Sequence, residues 1–273
     1  MIVTESLAAL EGALARPART GLVPTMGALH AGHRALLDAA RAGSERVVMS
    51  LFVNPSQFGA GEDLARYPRP LEADLAIAGA AGVDVVFAPA ADEIYPPGFA
   101  TTVDPGPLAD ELCGVSRPGH FSAVATIVTK LFGLVRPQLA YFGAKDYQQL
   151  TIVRQTARDL SLAVEVVGVA TVRDPDGLAL SSRNVFLSAA ERSQALTLSA
   201  GLRAAEAAYD AGERAASALL GACRAALVVE PEYLELRDRE LGPYLPDRPA
   251  VLLVASRFGT TRLIDNVPLG GTP

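Results

Sequence analysis

The chain has no tryptophan, only two cysteines and, among 24 basic residues, only two lysines. Each shortage excludes something. Cys113 and Cys223 lie too far apart for a CxxC redox or zinc motif, so both read as inert thiols of a reducing compartment. No stretch approaches the roughly 20 apolar residues that a bilayer-crossing helix needs. The start, Met1-Ile-Val-Thr-Glu-Ser-Leu7, lacks the basic region and apolar core of an export signal, so the expected location is the cytoplasm, with no membrane partner. No block of Lys or Arg could track a phosphate backbone and the net charge is −6, so no nucleic-acid partner is expected. Wherever a generic cation would serve, the chain writes Arg. Lys130 and Lys145 therefore ask for a reason.

What is present describes a globular enzyme-sized chain. Its 273 residues, half hydrophobic and a fifth charged, suffice for one large domain or a large and a small one. Leu7, Leu10 and Leu14 have helical spacing, and Thr20 to Pro24 reads as a strand. A helix starts near His30. Glu45 to Val53 is a continuous apolar run, as expected of a strand covered on both faces. Helix, strand, helix and strand follow at about 71–80, 83–87, 120–134 and 138–142, then 145–160 and 164–168. Strands alternating with helices of this length predict a doubly wound, Rossmann-like parallel sheet. After the turn Asp174-Pro-Asp-Gly177 the pattern changes. Ser188 and Glu191 form a capping box opening a long helix to about Asp210, a second helix covers about 213–227, and strands are expected at 233–237, 250–255 and 261–264. The expected organisation is a catalytic domain over 1–174 and a smaller α+β domain over 175–273 acting as a lid.

The residues suited to chemistry gather at strand ends. Pro24-Thr-Met-Gly-Ala-Leu-His-Ala-Gly-His33 lies between the first strand of the alternation and a helix, where open α/β sheets bind ligands and helix amides face anions. His30 and His33 share one helical face. The bland alternative is a surface pair, and shared zinc is another, though no third ligand is evident nearby. Asn54 and Gln57, in Phe52-Val-Asn-Pro-Ser-Gln-Phe58, offer donors and acceptors suited to hydroxyls and a carboxylate, although Asn-Pro alone favours a plain turn. Lys145 falls near a helix N-terminus, a poor place for a cation unless an anion binds there too, and Gln149 follows one turn later. Ser181-Ser182-Arg183 forms a candidate mobile clamp for phosphates in a loop between domains. Arg117 can pair with a carboxylate or phosphate, His120 can cap a helix, and Lys130 can be a snorkelling side chain. Gly59 to Asp63 carries two glycines and is a candidate flap.

The HxGH form after a strand, coupled to Ser-Ser-Arg, resembles the nucleotidylyltransferase superfamily. PTMGALHAGH, FVNPSQF, RYPR at Arg66 to Arg69, RPGHF, FGAKDYQQL and DGLALSSRN together resemble, in order and spacing over residues 24–184, the pantothenate synthetase family. Leu180, Ala123 and Phe186 depart from that family's usual Met, Gly and Tyr. The resemblance implies ATP-dependent joining of pantoate to β-alanine through a pantoyl adenylate. It implies ATP contacts from Pro24, Thr25, Met26, Gly27, His30, His33, Gly143, Lys145, Asp146, Val172, Leu180, Ser181, Ser182 and Arg183. His30, His33, Lys145 and the Ser-Ser-Arg residues would hold the phosphates. Pantoate or β-alanine would meet Gln57 and Gln149, with Asn54 and Tyr67 nearby and Arg117 assisting. Mg²⁺ would come mainly with ATP, with Asp74 and Asp146 as candidate carboxylates, and the enzyme would be a homodimer. The alternative keeps the fold and makes the chain another nucleotidylyltransferase acting on a small phosphorylated substrate.

Overall fold

The computed structural model describes residues 1–59 and 61–271, with Asp63 described by its backbone alone. The elements in chain order are β1 (Ile2–Thr4), α1 (Leu7–Leu14), β2 (Thr20–Thr25), α2 (Ala31–Gly43), β3 (Arg46–Leu51), α3 (Leu71–Ala80), β4 (Val85–Phe87), the single turns α4 (Ala91–Ile94) and α5 (Cys113–Ser116), α6 (His120–Val135), β5 (Leu139–Gly143), α7 (Tyr147–Asp159) and β6 (Glu165–Val169). Then come α8 (Ala189–Asp210), α9 (Ala216–Arg224), β7 (Tyr233–Asp238), β8 (Ala250–Phe258) and β9 (Thr261–Leu269). Short 3₁₀ turns cover Pro55–Gln57, Asp63–Arg66, Pro107–Asp110, Ala144–Asp146 and Ser182–Phe186.

The chain divides into two compact units, one of residues 1–143 and 148–169 and one of 144–147 and 170 onward. In the first, six strands pair in parallel in the order β1-β4-β3-β2-β5-β6. The apolar run predicted from Glu45 folds as β3, with Val47, Val48 and Met49 fully buried, because helices cover both faces of such a sheet. Strand β1 escapes the sequence reading. It has three residues, and Ile2 and Val3 on this edge are exposed, so no period-2 signal survives.

Topology fixes where ligands can enter this sheet. From β2 the chain winds one way through β3 and β4, and it then returns to add β5 and β6 on the other side. The reversal falls between β2 and β5, and open sheets take ligands in the crevice beyond the strand C-termini at such a point. The strands themselves open it. β2 pairs with β3 along all six of its residues, but its register with β5 covers only Gly21–Leu139 and Leu22–Ala140.

The second unit stacks α8 and α9 on an antiparallel sheet ordered β7-β8-β9. The Ser188–Glu191 capping box that opens α8 is present in both directions. β9 runs five residues beyond its predicted end, through Pro268, which an edge strand tolerates because the missing amide can face away from the ladder.

Lys130 has a structural reason. It rises from the largely buried helix α6, donates to the Ile94 carbonyl, and sets its ammonium 4.7 Å from the Phe99 ring centroid. Among the described residues no helix is long and apolar enough to cross a membrane.

Candidate functional site

The HxGH segment begins where β2 ends. Gly27 has φ +86° and Ala28 φ +53°, two successive left-handed residues that turn the backbone sharply and aim neighbouring amides the same way. Those amides meet Asp74. Its carboxylate, 1% exposed on α3, accepts from Ala28 N–H at 2.9 Å and Leu29 N–H at 2.7 Å. Each oxygen of Asp74, the candidate carboxylate for Mg²⁺, holds a backbone donor, and the pairing offsets the strain at Ala28. A Cβ on Gly27 would lie 2.9 Å from an Asp74 oxygen, so glycine is required there by space as well as by φ.

Two histidines close the next turn. His30 is the N-cap of α2, and its Nδ1 accepts from the Gly32 amide at 3.1 Å; the Nδ1 of His33 accepts from the His30 amide at 3.2 Å. This is a capping box built from imidazoles, with ring centroids 4.1 Å apart. An Nδ1 that accepts cannot carry a proton. Both neutral rings are thereby set in the tautomer whose Nε2–H is a donor, as a phosphate oxygen would require.

Beyond β3, Asn54 is 1% exposed, and its carbonyl oxygen accepts from the Ser56 hydroxyl at 2.8 Å and the Tyr95 hydroxyl at 2.9 Å. Its amide donates to Gln57 Oε1 at 3.2 Å. Asn54 therefore supports Gln57 from behind. Burial pushes the Tyr95 hydroxyl above its ordinary value, which keeps it a donor. Gln57 donates to the thioether of Met26, a weak acceptor, so its amide is easily redirected to a ligand.

Arg117, the candidate assistant at the substrate, makes a two-pronged pair with Glu62, 2.7 Å at each prong, and donates to the Gln57 carbonyl. The hydrogen bond from Arg117 holds the Glu62 carboxyl below its usual range. His120 is the first residue of α6 rather than its cap, and its Nδ1 lies 2.8 Å from that same carbonyl. Glu62 belongs to the candidate flap, whose Ala60 lies outside the described residues. Tyr67 is buried edge-on against Phe58. Of the two adjacent glutamines in α7, Gln148 is structural, with Oε1 accepting from the Cys113 amide and Nε2 donating to Leu108 and Glu111 carbonyls. Gln149 is half-buried, and Gly143, at the end of β5, has open space where a Cβ would stand.

Lys145, Asp146, Val172, Leu180 and the Ser-Ser-Arg residues belong to the second unit. Lys145 sits on a 3₁₀ turn, 3.6 Å from the Asp146 carboxylate. Asn266 donates to both the Ala144 and Lys145 carbonyls at 2.9 Å. Val172 O accepts from Leu180 N–H at 3.0 Å, making a hairpin that closes at Gly177, and Ser181 caps the following 3₁₀ turn through the Arg183 amide. The hairpin base is pinned. Arg173 grips Asp265 at 2.6 and 2.9 Å, and Arg192 grips Asp174 and Asp176, each at 2.7 Å. These pairs fasten the hairpin that leads into the Ser-Ser-Arg turn within its own unit. Sequence reading missed Tyr95, Asp265 and Asn266, none of which lies in a recognisable motif, and singled out Glu62 only as part of the candidate flap.

The profile of the family described as pantoate-beta-alanine ligase matches residues 3–268. The chain belongs to that family. It is 50% identical over 261 residues to a pantothenate synthetase of Trichlorobacter lovleyi, covering 93% of this chain and 92% of that protein. The crystal structure of pantothenate synthetase from Thermus thermophilus is similar to it with a TM-score of 0.94 at 50% identity, covering 98% of this chain and 99% of that one. A pantoate-beta-alanine ligase from Francisella tularensis, complexed with beta-gamma ATP and beta-alanine, has a TM-score of 0.82 at 32% identity over 98% of this chain and 97% of that one. Membership in this family overrides the alternative of a nucleotidylyltransferase for phosphorylated substrates.

Proposed function

We propose that the chain is an ATP-dependent ligase that condenses pantoate with β-alanine to give pantothenate, AMP and pyrophosphate. A pantoate carboxylate oxygen attacks the α-phosphorus, and pyrophosphate leaves. The β-alanine amine then attacks the acyl carbon of the pantoyl adenylate, loses a proton, and AMP departs. No enzyme nucleophile is needed, so the protein contributes positioning and charge stabilisation. The observation that carries this reading is the tautomer-fixed histidine pair at the switch point of the sheet, in a chain of this ligase family.

His30 and His33 donate Nε2–H to phosphate oxygens, and Lys145, Ser181, Ser182 and Arg183 neutralise the departing pyrophosphate. Pro24 to Gly27, Gly143, Val172 and Leu180 border the nucleotide, with Asp146 at its phosphates. Gln57 and Gln149 bind the hydroxyls and carboxylate of pantoate, with Asn54, Tyr67 and Arg117 acting behind them. The second unit serves as the lid, and the enzyme works as a homodimer. Among the described residues no cluster of three or more His, Cys, Asp or Glu could hold a metal. Mg²⁺ keeps several waters and rides on phosphate oxygens, so an all-protein cage is not needed. The half-exposed Asp146 would reach it through water, and the ion would supply charge neutralisation on the phosphates.

The test is pyrophosphate release from ATP with pantoate alone, followed by AMP release on adding β-alanine. Pyrophosphate release that does not depend on pantoate would refute the assignment.

A further inference from the structure

Alternation of burial along β9 breaks at one residue. From Thr261 to Asp265 buried and half-buried positions alternate, as one covered face dictates, yet Asn266 is 4% exposed where the pattern calls for a half-exposed residue. What covers it is the 3₁₀ turn of Lys145. Successive strand residues point to opposite faces, so Asp265 and Asn266 reach different partners. Asp265, 3% exposed, takes the Arg173 fork at the base of the Ser-Ser-Arg hairpin, and Asn266 gives its amide hydrogens to the Ala144 and Lys145 carbonyls. One oxygen of Asp265 also accepts from the Asn266 amide at 2.8 Å, which ties the two together. β9 neighbours both 3₁₀ turns, Ala144–Asp146 and Ser182–Phe186.

We propose that Asp265 and Asn266 are positioning residues for the adenylation step, holding the lysine turn and the serine-arginine turn in fixed register. This rests on the proposed role of Lys145 at the ATP phosphates. Both side chains are almost fully buried within their own unit, so the role is one of positioning rather than of contact. A lysine turn without Asn266 loses the side-chain amide that ties its Ala144 and Lys145 carbonyls to β9, and its ammonium loses its aim. Displacements of about 1 Å cost on the order of a hundredfold in positioned reactions.

The experiment measures pantoate-dependent pyrophosphate release by the full chain carrying Asn266→Ala, Lys145→Ala, or both. We expect Asn266→Ala to lower kcat by about tenfold to a hundredfold with KM for pantoate unchanged. Lys145→Ala should then cost far less in the Asn266→Ala background than in the parent, because the lysine is already misplaced. Asp265→Asn, which weakens the grip on Arg173, should lower kcat in the same sense and carries the test if Asn266→Ala does not fold. Val254→Ala, a core truncation in the neighbouring strand, is the control for a merely structural role. The proposal is overturned if a folded Asn266→Ala turns over within twofold of the parent. It is overturned equally if the two losses simply multiply, or if Val254→Ala slows adenylation as much at equal loss of Tm. A normal rate for Lys145→Ala refutes the lysine's role itself, whereas a slow Lys145→Ala beside a normal Asn266→Ala refutes only the positioning claim.

Discussion

Replacing Asp74 with alanine separates two roles that sequence alone leaves confounded, metal ligand and loop anchor. The carboxylate is 1% exposed and accepts two backbone amides, at 2.9 and 2.7 Å. Hydrogen bonds to a charged group contribute about 1.5–3 kcal/mol each. The left-handed Ala28 they hold costs about 1–2 kcal/mol, so the turn has reason to relax once its anchor is gone. Relaxation and water recover part of the loss, which leaves an expected destabilisation of about 3 kcal/mol, read as a lower urea midpoint. The amide of His30 follows directly on this turn, so the histidine cap shifts with it. Pantoate-dependent pyrophosphate release should fall by about a hundredfold. The decisive axis is Mg²⁺. An anchor lost from the backbone is not replaced by more cation, so the deficit should persist across a wide Mg²⁺ titration. An unchanged urea midpoint, with activity restored at high Mg²⁺, would refute the anchoring argument and return Asp74 to the metal.

Four further outcomes are expected. Lys145→Ala should lower kcat for pyrophosphate release by at least about a hundredfold, the usual consequence of losing one aimed donor, measured under saturating ATP and pantoate. Gly201→Ala should destabilise the α8–α9 contact by about 1–3 kcal/mol, read as a lower Tm, because its Cβ would stand 2.7 Å from the Cys223 carbonyl oxygen. Cys223 is fully buried and its thiol is pushed up to about 11 by that burial, so the native enzyme at pH 8 should resist thiol alkylation there until unfolded. Glu62 has its pKa lowered on folding, so its contribution to stability is present above the unfolded value near 4.5 and fades as pH falls through the folded one. The stability gap between the parent and Glu62→Gln should therefore be constant at neutral pH and close in acid, as followed by urea midpoints.

The alternation of strand and helix was legible because buried parallel strands are long apolar runs and their covering helices carry 3.6-residue stripes. Both signals need length. β1, with three residues and an exposed face, has neither. The true end of β9 was hidden for a different reason, since Asp265-Asn266 and Pro268 are turn formers by local preference. They are strand residues because partners distant in sequence satisfy them, Arg173 for one and the Ala144–Lys145 carbonyls for the other. The histidine pair was legible as a pair, but not as a mutual cap, which depends on His30 standing outside the helix and His33 inside it. Arg117 and Asn54 were singled out for polar chemistry they do have. The partners they find, Glu62 and Tyr95, lie in segments without a motif.

These cases share one physical cause. A loop at the C-terminal end of a strand must leave backbone groups unpaired to meet a ligand, and the same loop must be held still. Side chains from elsewhere do the holding, and their chemistry matches the backbone group presented. Where the loop offers amides, at Ala28 and Leu29, the holder is a carboxylate, Asp74. Where it offers carbonyls, at Ala144, Lys145 and Gln57, the holders are donors, Asn266 for the first two and Arg117 for the third. Each holder lies dozens of residues or more from the loop it holds. Short motifs therefore mark the groups that would face ATP, while the groups that aim them emerge only once the chain is folded.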